Sequence, residues 1–141
     1  MEYIYNDGGR TNAGYKGETG DCVTRSISIV TSKPYQEVYD EINEIGKYER
    51  TGKRKRGKSN ARLGVYKATI RKYMESLGYT WTPTMFIGSG CKVHLRENEL
   101  PKGKLLVAVS KHYTAVIDGV IQDTHNPSRE GTRCVYGYYS I

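Results

Sequence analysis

Apolar residues recur at helical spacing through the first half of the chain and at strand spacing through the second. A small polar cap, Gly20-Asp21, runs straight into Cys22-Val23-Thr24-Arg25-Ser26-Ile27-Ser28-Ile29-Val30, which predicts a helix over residues 22–31. A second helix is predicted over 34–45, where Tyr35, Val38, Ile42 and Ile45 fall three and four residues apart, with Ser32 as its cap and Gly46 placed to end it. A third runs over 65–77 and stops at Gly78. Beyond that point the period changes from 3.6 to 2, predicting strands over 79–82, 104–110, 112–117, 120–124 and 134–140. Residues 1–20 are glycine-rich and polar and are expected to be extended, with little regular structure. Helices first and an antiparallel sheet after, without βαβ alternation, make an α+β fold with N-terminal helices packed on a C-terminal antiparallel sheet. The chain of 141 residues reads as one domain, 1–141.

One turn in this pattern fixes a register. Asp118-Gly119 lies between Val116-Ile117 and Val120-Ile121, a strong signal for a two-residue type I′ hairpin. Such a turn pairs Ile117 with Val120, and hence Thr114 with Asp123 and His112 with His125. Paired residues share a face of the sheet. His112, Thr114, Asp123 and His125 should therefore project to one side, with Asp123 diagonal to His112 and within reach of its ring.

That placement matters because of Cys22. A helix N-terminus carries partial positive charge and free backbone N–H groups. Both favour a thiolate, the nucleophilic form of cysteine, and the same N–H groups serve an oxyanion. Cysteine at a helix start, histidine at a strand start and an acid in register beside it make a nucleophile, a base and an orienting group. The candidate catalytic set is Cys22, His112 and Asp123, with Asn126 as second choice for the acid because it has the opposite parity, an argument weakened by Pro127, which ends the strand there.

Composition narrows the setting. Three cysteines, far apart in sequence, form no disulfide framework, and the chain opens without a signal-peptide pattern. No apolar run approaches the roughly 20 residues that span a bilayer. The expectation is a cytoplasmic protein with reduced thiols and no membrane partner. The net charge of +7 is concentrated in residues 47–62, which hold eight Lys/Arg and one Asp/Glu, while the remainder holds fourteen of each sign. An exposed loop between two helices is expected there. Arg50, Lys53, Arg54, Lys55, Arg56, Lys58 and Arg62 are candidate contacts for nucleic acid or an acidic protein, with Tyr48 and Tyr66 flanking them as rings that could stack on bases. A rival reading of the cysteines is a metal site. Cys91-Lys92-Val93-His94 has a short ligand spacing that Cys22, Cys134, His112 and His125 could complete, but no second paired motif follows. No metal or cofactor is therefore assigned.

The chain also resembles a known group. Gly20-Asp21-Cys22-Val23-Thr24-Arg25, Lys33-Pro34-Tyr35, Glu37-Val38-Tyr39, the block from His112 to Gly119, and Asp123-Thr124-His125 are similar to small, uncharacterised papain-like proteins common in phages, prophages and bacteria. Trp81-Thr-Pro-Thr-Met and Ile87-Gly-Ser-Gly-Cys91 extend the resemblance over nearly the whole chain. The wider likeness to papain-like and bacteriocin-processing peptidases rests on the cysteine and histidine–acid blocks alone. It implies a cysteine hydrolase acting on a peptide or protein substrate, a peptidase, isopeptidase or amidase, with Cys22 as nucleophile, His112 as base and acid, and Asp123 orienting it. If phage-encoded, the chain would work in the bacterial host cytoplasm. One departure stands out. Papain-like enzymes carry a glutamine shortly before the cysteine as an oxyanion donor, and no glutamine precedes Cys22. The Cys22 backbone N–H can supply one donor, with Asn12 or Thr19 as candidates for the other. Where such a site has lost its activity, the alternative is a binding protein that works through the basic loop.

Overall fold

In the computed structural model, which describes residues 1–16, 20–49 and 57–141, three helices pack beside a six-stranded mixed sheet. The helices are α1 (Cys22–Thr31), α2 (Tyr35–Gly46) and α3 (Lys67–Ser76), and the strands are β1 (Tyr3–Tyr5), β2 (Thr80–Pro83), β3 (Lys104–Val109), β4 (His112–Ile117), β5 (Val120–Asp123) and β6 (Val135–Ser140). Across the sheet the order is β1-β5-β4-β3-β6-β2. The α+β class follows from the sequence pattern, and two differences from it are informative.

The sheet is not wholly antiparallel. Residues 3–5 form an edge strand that pairs parallel with β5, Tyr3 opposite Ile121 and Tyr5 opposite Asp123. Asn6 N–H continues this contact by donating to Asp123 O at 2.9 Å. Three exposed residues ahead of a glycine-rich stretch carry no periodic signal, and a pairing across more than a hundred residues has no local one. The second difference concerns capping. Ser32 is the left-handed C-cap of α1 (φ 62°) rather than the N-cap of α2, a position that Pro34 takes.

The hairpin register is the one Asp118-Gly119 implies. Both turn residues have positive φ (48° and 82°), the type I′ signature. Ile117 faces Val120, Val116 faces Ile121 and Ala115 faces Gln122. Asp118 also accepts from Gly103 N–H at 2.8 Å, which ties the turn to the chain entering β3.

Apolar side chains form two clusters. Ile27, Val30, Val38, Ile42, Ile70 and Met74 from the helices pack on Leu106, Ala115 and Tyr139. Val107, Val116, Ile121 and Val135 pack with Leu95 and Leu100 from the 84–103 connection, which straps the other side. Two side-chain bonds fasten α1: Ser26 Oγ donates to Tyr113 O at 3.0 Å and Thr24 Oγ1 to Ala61 O at 2.6 Å. The start of α1 is thereby held against the start of β4.

The strap also carries a disulfide, Cys91–Cys134, with the Cα atoms 5.8 Å apart. The expectation of three reduced thiols is corrected accordingly, and Cys22 is the free cysteine. A separation of 43 positions hides this proximity in the sequence. It is created by the strap pairing with the entry to β6, where His94 bridges Cys134 and Val135 N–H donates to Val93 O at 2.8 Å. Among the described residues no helix is long and apolar enough to cross a membrane.

One glycine tests the packing of β6. A Cβ at Gly137 would lie 2.3 Å from Trp81 Cζ2 and 2.8 Å from Thr82 O. Trp81 is itself packed on Tyr139, with ring centroids 4.8 Å apart, and Thr82 O belongs to the paired strand. Gly137→Ala should destabilise by about 1–3 kcal/mol and lower the melting temperature by roughly 5 °C or more. An unchanged thermal transition would contradict this packing.

Candidate active site

The N-terminus of α1, the start of β4 and the end of β5 meet at one point. Cys22 is the first residue of α1, His112 the first of β4 and Asp123 the last of β5. His112 Nε2 lies 2.7 Å from Asp123 Oδ2. An ionised carboxylate only accepts, so Nε2 carries the proton and Nδ1 is left for the thiol. The Cys22 thiol is influenced by the same imidazole and by the backbone of Tyr113. His112 thus lies between the Cys22 thiol and the Asp123 carboxylate.

Asp123 is itself well held. Its side chain is 2% exposed, and it accepts from Thr114 Oγ1 at 2.8 Å and from Thr124 N–H at 2.7 Å. Thr114 lies on the side that the hairpin register assigns it. His125 also reaches the carboxylate, Nδ1 to Oδ1 at 3.8 Å, and its ring centroid is 5.0 Å from that of His112.

The electrostatics favour an ion pair. Burial pushes the Cys22 thiol up, but its hydrogen bond to His112, the imidazolium charge, the Tyr113 backbone and the Arg25 charge together bring it below the ordinary value. Burial pushes His112 down, and the bonds to Asp123 and Cys22 outweigh that, raising it to about 9. Burial raises Asp123, and the His112 contact followed by Thr114 and Thr124 lowers it below the usual carboxylate range. The three shifts agree in sign with a proton moved from sulfur to imidazole.

Behind the site is a buried charge network that amphipathic reading misses. Asp21, with no exposed side-chain surface, makes no capping bond to α1 and instead accepts from Arg25 Nη1 and, at 2.7 Å, from Tyr35 Oη. Arg10 approaches it at 3.5 Å. The other arm of Arg25 lies 3.4 Å from Asp123 Oδ1. A guanidinium therefore connects Asp21, the residue before Cys22, to Asp123. Its one sequence signal is the (i, i+4) spacing of Asp21 and Arg25, an ordinary surface pattern.

Cys22 and His112 open on a cavity of about 640 Å3 whose walls include Val23, Trp81, Tyr136 and Tyr139, with Lys67, Arg71 and Lys111 also lining it. A groove of that size with apolar walls accommodates a side chain of a substrate. As the first helical residue, Cys22 has a backbone N–H without an intrahelical acceptor, a free oxyanion donor beside the thiol.

The remaining candidates are dispersed. Asn126 accepts from Ser128 N–H at 3.0 Å and Ser128 Oγ at 2.7 Å, and its amide donates to Met1 O at 3.4 Å, so its side-chain bonds go to a turn and the N-terminus rather than to His112. Asn12 lines a different cavity, beside Gly9 and Tyr35. Thr19 lies outside the described residues, as do Arg50, Lys53, Arg54, Lys55 and Arg56. Lys58 Nζ donates to Lys47 O at 2.7 Å, and Arg62 donates to Lys16 O at 2.6 Å while lying 5.7 Å above the Tyr15 ring. Glu49, the lone acid of the basic stretch, accepts from Ser59 and Thr69 and so fastens the two ends of the loop to α3. Tyr48 and Tyr66 are both exposed.

The rival metal set divides into two groups: Cys91, His94 and Cys134 converge in the strap, and His112, Asp123 and His125 converge at the candidate active site. No family model matches the chain, and no match is found among curated proteins or solved structures.

Proposed function

We propose that the protein is a papain-like cysteine hydrolase, in which α1 presents the nucleophile to a base and an acid carried by adjacent antiparallel strands. The observation that carries this reading is His112, held by Asp123 through Nε2 and lining one apolar cleft together with Cys22. His112 takes the thiol proton. The thiolate attacks the carbonyl carbon of a bound peptide or carboxamide, and the oxyanion forms against the Cys22 backbone N–H. Imidazolium then protonates the leaving amine, giving a thioester on Cys22. A water molecule, deprotonated by His112, releases the acid and restores the thiol. Asp123 keeps the ring in the required tautomer and orientation throughout. The cleft favours substrates with a bulky apolar group beside the scissile bond.

Alkylation by iodoacetamide, followed by mass spectrometry, tests the ion pair directly, since Cys22 is the free thiol. The rate should hold its plateau well below the ordinary thiol value of about 8.5 and fall only at more acid pH, because the folded protein holds the thiol low. A profile that climbs through the ordinary thiol range would remove the nucleophile from the proposal.

A further inference from the structure

The Cys91–Cys134 bond has a neighbour that a simple crosslink does not require. His94 Nε2 lies 3.5 Å from Cys91 Sγ. Its Nδ1 is 3.2 Å from Glu99 Oε1, and the same oxygen accepts from the His94 backbone N–H at 3.2 Å. Arg96 in turn approaches Glu99 Oε2 at 3.3 Å. Carboxylate on one ring nitrogen and sulfur on the other is the arrangement in which metal-ligating histidines are held, their tautomer fixed and their free lone pair aimed. The histidine is 29% exposed, and its position is set by backbone pairing on both sides of it. Val135 N–H donates to Val93 O and Leu95 N–H to Arg133 O, each at 2.8 Å. That pairing brings the three donor atoms together independently of side chains, and all lie within 4.8 Å of one another.

Distances identify the ion class. Zinc binds thiolate at about 2.3 Å and imidazole at about 2.0–2.1 Å in a tetrahedron, which places sulfur and nitrogen roughly 3.5 Å apart. The Cys91–His94 separation of 3.5 Å is that edge. Two soft sulfurs and one imidazole select zinc over magnesium or calcium, which take oxygen ligands.

We propose that the strap carries a redox-gated Zn2+ site, in which reduction of the disulfide lets Cys91 Sγ, Cys134 Sγ and His94 Nε2 bind one ion, with water in the fourth position. A dithiol reductant passes two electrons and two protons to the disulfide and closes to its own disulfide. Zn2+ then displaces the two thiol protons and holds two thiolates, while His94 keeps its proton on Nδ1 toward Glu99. The reverse exchange, with a disulfide as oxidant, releases the ion. Either state closes the same loop and holds the strap on the entry to β6, two residues before Tyr136 of the cleft. This site is independent of the proposed hydrolysis.

The test uses the full chain carrying Cys22→Ser, so that Cys91 and Cys134 are the remaining thiols. After reduction by a phosphine, Zn2+ is titrated in competition with a chromophoric chelator, and Co2+ is used as a spectroscopic probe. One Zn2+ per chain with Kd on the order of 10^-7 M or tighter is expected, with a thiolate-to-cobalt charge-transfer band that the oxidised protein lacks. His94→Gln keeps both thiols and should weaken binding by about 100-fold or more, and Glu99→Gln by roughly 10–100-fold. If the reduced chain loses structure, recovery of its circular dichroism on adding Zn2+ counts for the site, and failure to recover counts against it. No retained metal, or metal retained equally by His94→Gln through His112, Asp123 and His125, would leave the cysteine pair a plain crosslink and overturn the proposal.

Discussion

Replacing His112 by alanine should abolish hydrolysis of any amide or ester the wild-type protein turns over, lowering kcat by about 10^6-fold, the scale of losing the base from a hydrolase triad. The loss has two parts, and the structure separates them. Without imidazole the leaving amine has no acid. The thiol also loses the two largest contributions that hold it low, leaving the Tyr113 backbone and the Arg25 charge against burial, the largest single effect. Cys22 should then titrate higher than in the wild type and be mostly neutral thiol at neutral pH. Alkylation at pH 7 should fall, by less than the thiolate fraction does, because a more basic thiolate is also more nucleophilic. The wild-type hydrolysis profile adds a sign test. Its acid limb follows the lowered thiol and its alkaline limb follows His112 near 9, where the imidazolium that protonates the amine disappears. Alkylation, which needs no acid, should show no alkaline fall. Turnover surviving in His112→Ala at more than a hundredth of wild type would assign the base to another residue, His125 being nearest.

The parts of this site that short-range rules determine are the parts readable from the chain. Asp118-Gly119 demands positive φ at two successive residues, and that alone fixes the β4–β5 register and the adjacency of His112 and Asp123. The polar-to-apolar change at Asp21-Cys22 likewise places the thiol on the first helical turn. What depends on distant partners is not legible. β1 is three residues long and gains its place through parallel pairing with β5. Cys91 and Cys134 are joined by a strap whose path no periodicity encodes. The Cys91-x-x-His94 spacing points to ligand chemistry, but the sequence offers several partners for it, and the sheet topology is what singles out Cys134. The cleft walls, with Trp81 from β2 and Tyr136 and Tyr139 from β6, belong to strands that meet only in the folded sheet.

Arg25 is the most instructive of these hidden residues, and its replacement should carry the largest stability cost of any change in the site. A charged residue four positions from Asp21 on a helix reads as a surface pair worth a few tenths of a kcal/mol. Here both side chains are buried, 8% and 0% exposed, and the guanidinium also faces Asp123. Removing one member of a buried pair costs about 3–5 kcal/mol, because the other charge stays in a poorly solvating interior. Arg25→Met should lie near the lower end, about 3 kcal/mol, since Arg10 and Tyr35 still face Asp21. The melting temperature should fall by on the order of 10 °C. The companion variant separates a charge effect from lost packing. Adding Asp21→Asn to Arg25→Met removes the stranded carboxylate, and stability should recover by more than about 1 kcal/mol. If the double variant is instead less stable than Arg25→Met by the full cost of a second substitution, the guanidinium acts through its packing alone. Cys22 reactivity should fall less than in His112→Ala, because Thr114 and Thr124 keep Asp123 aimed at the ring when Arg25 is gone.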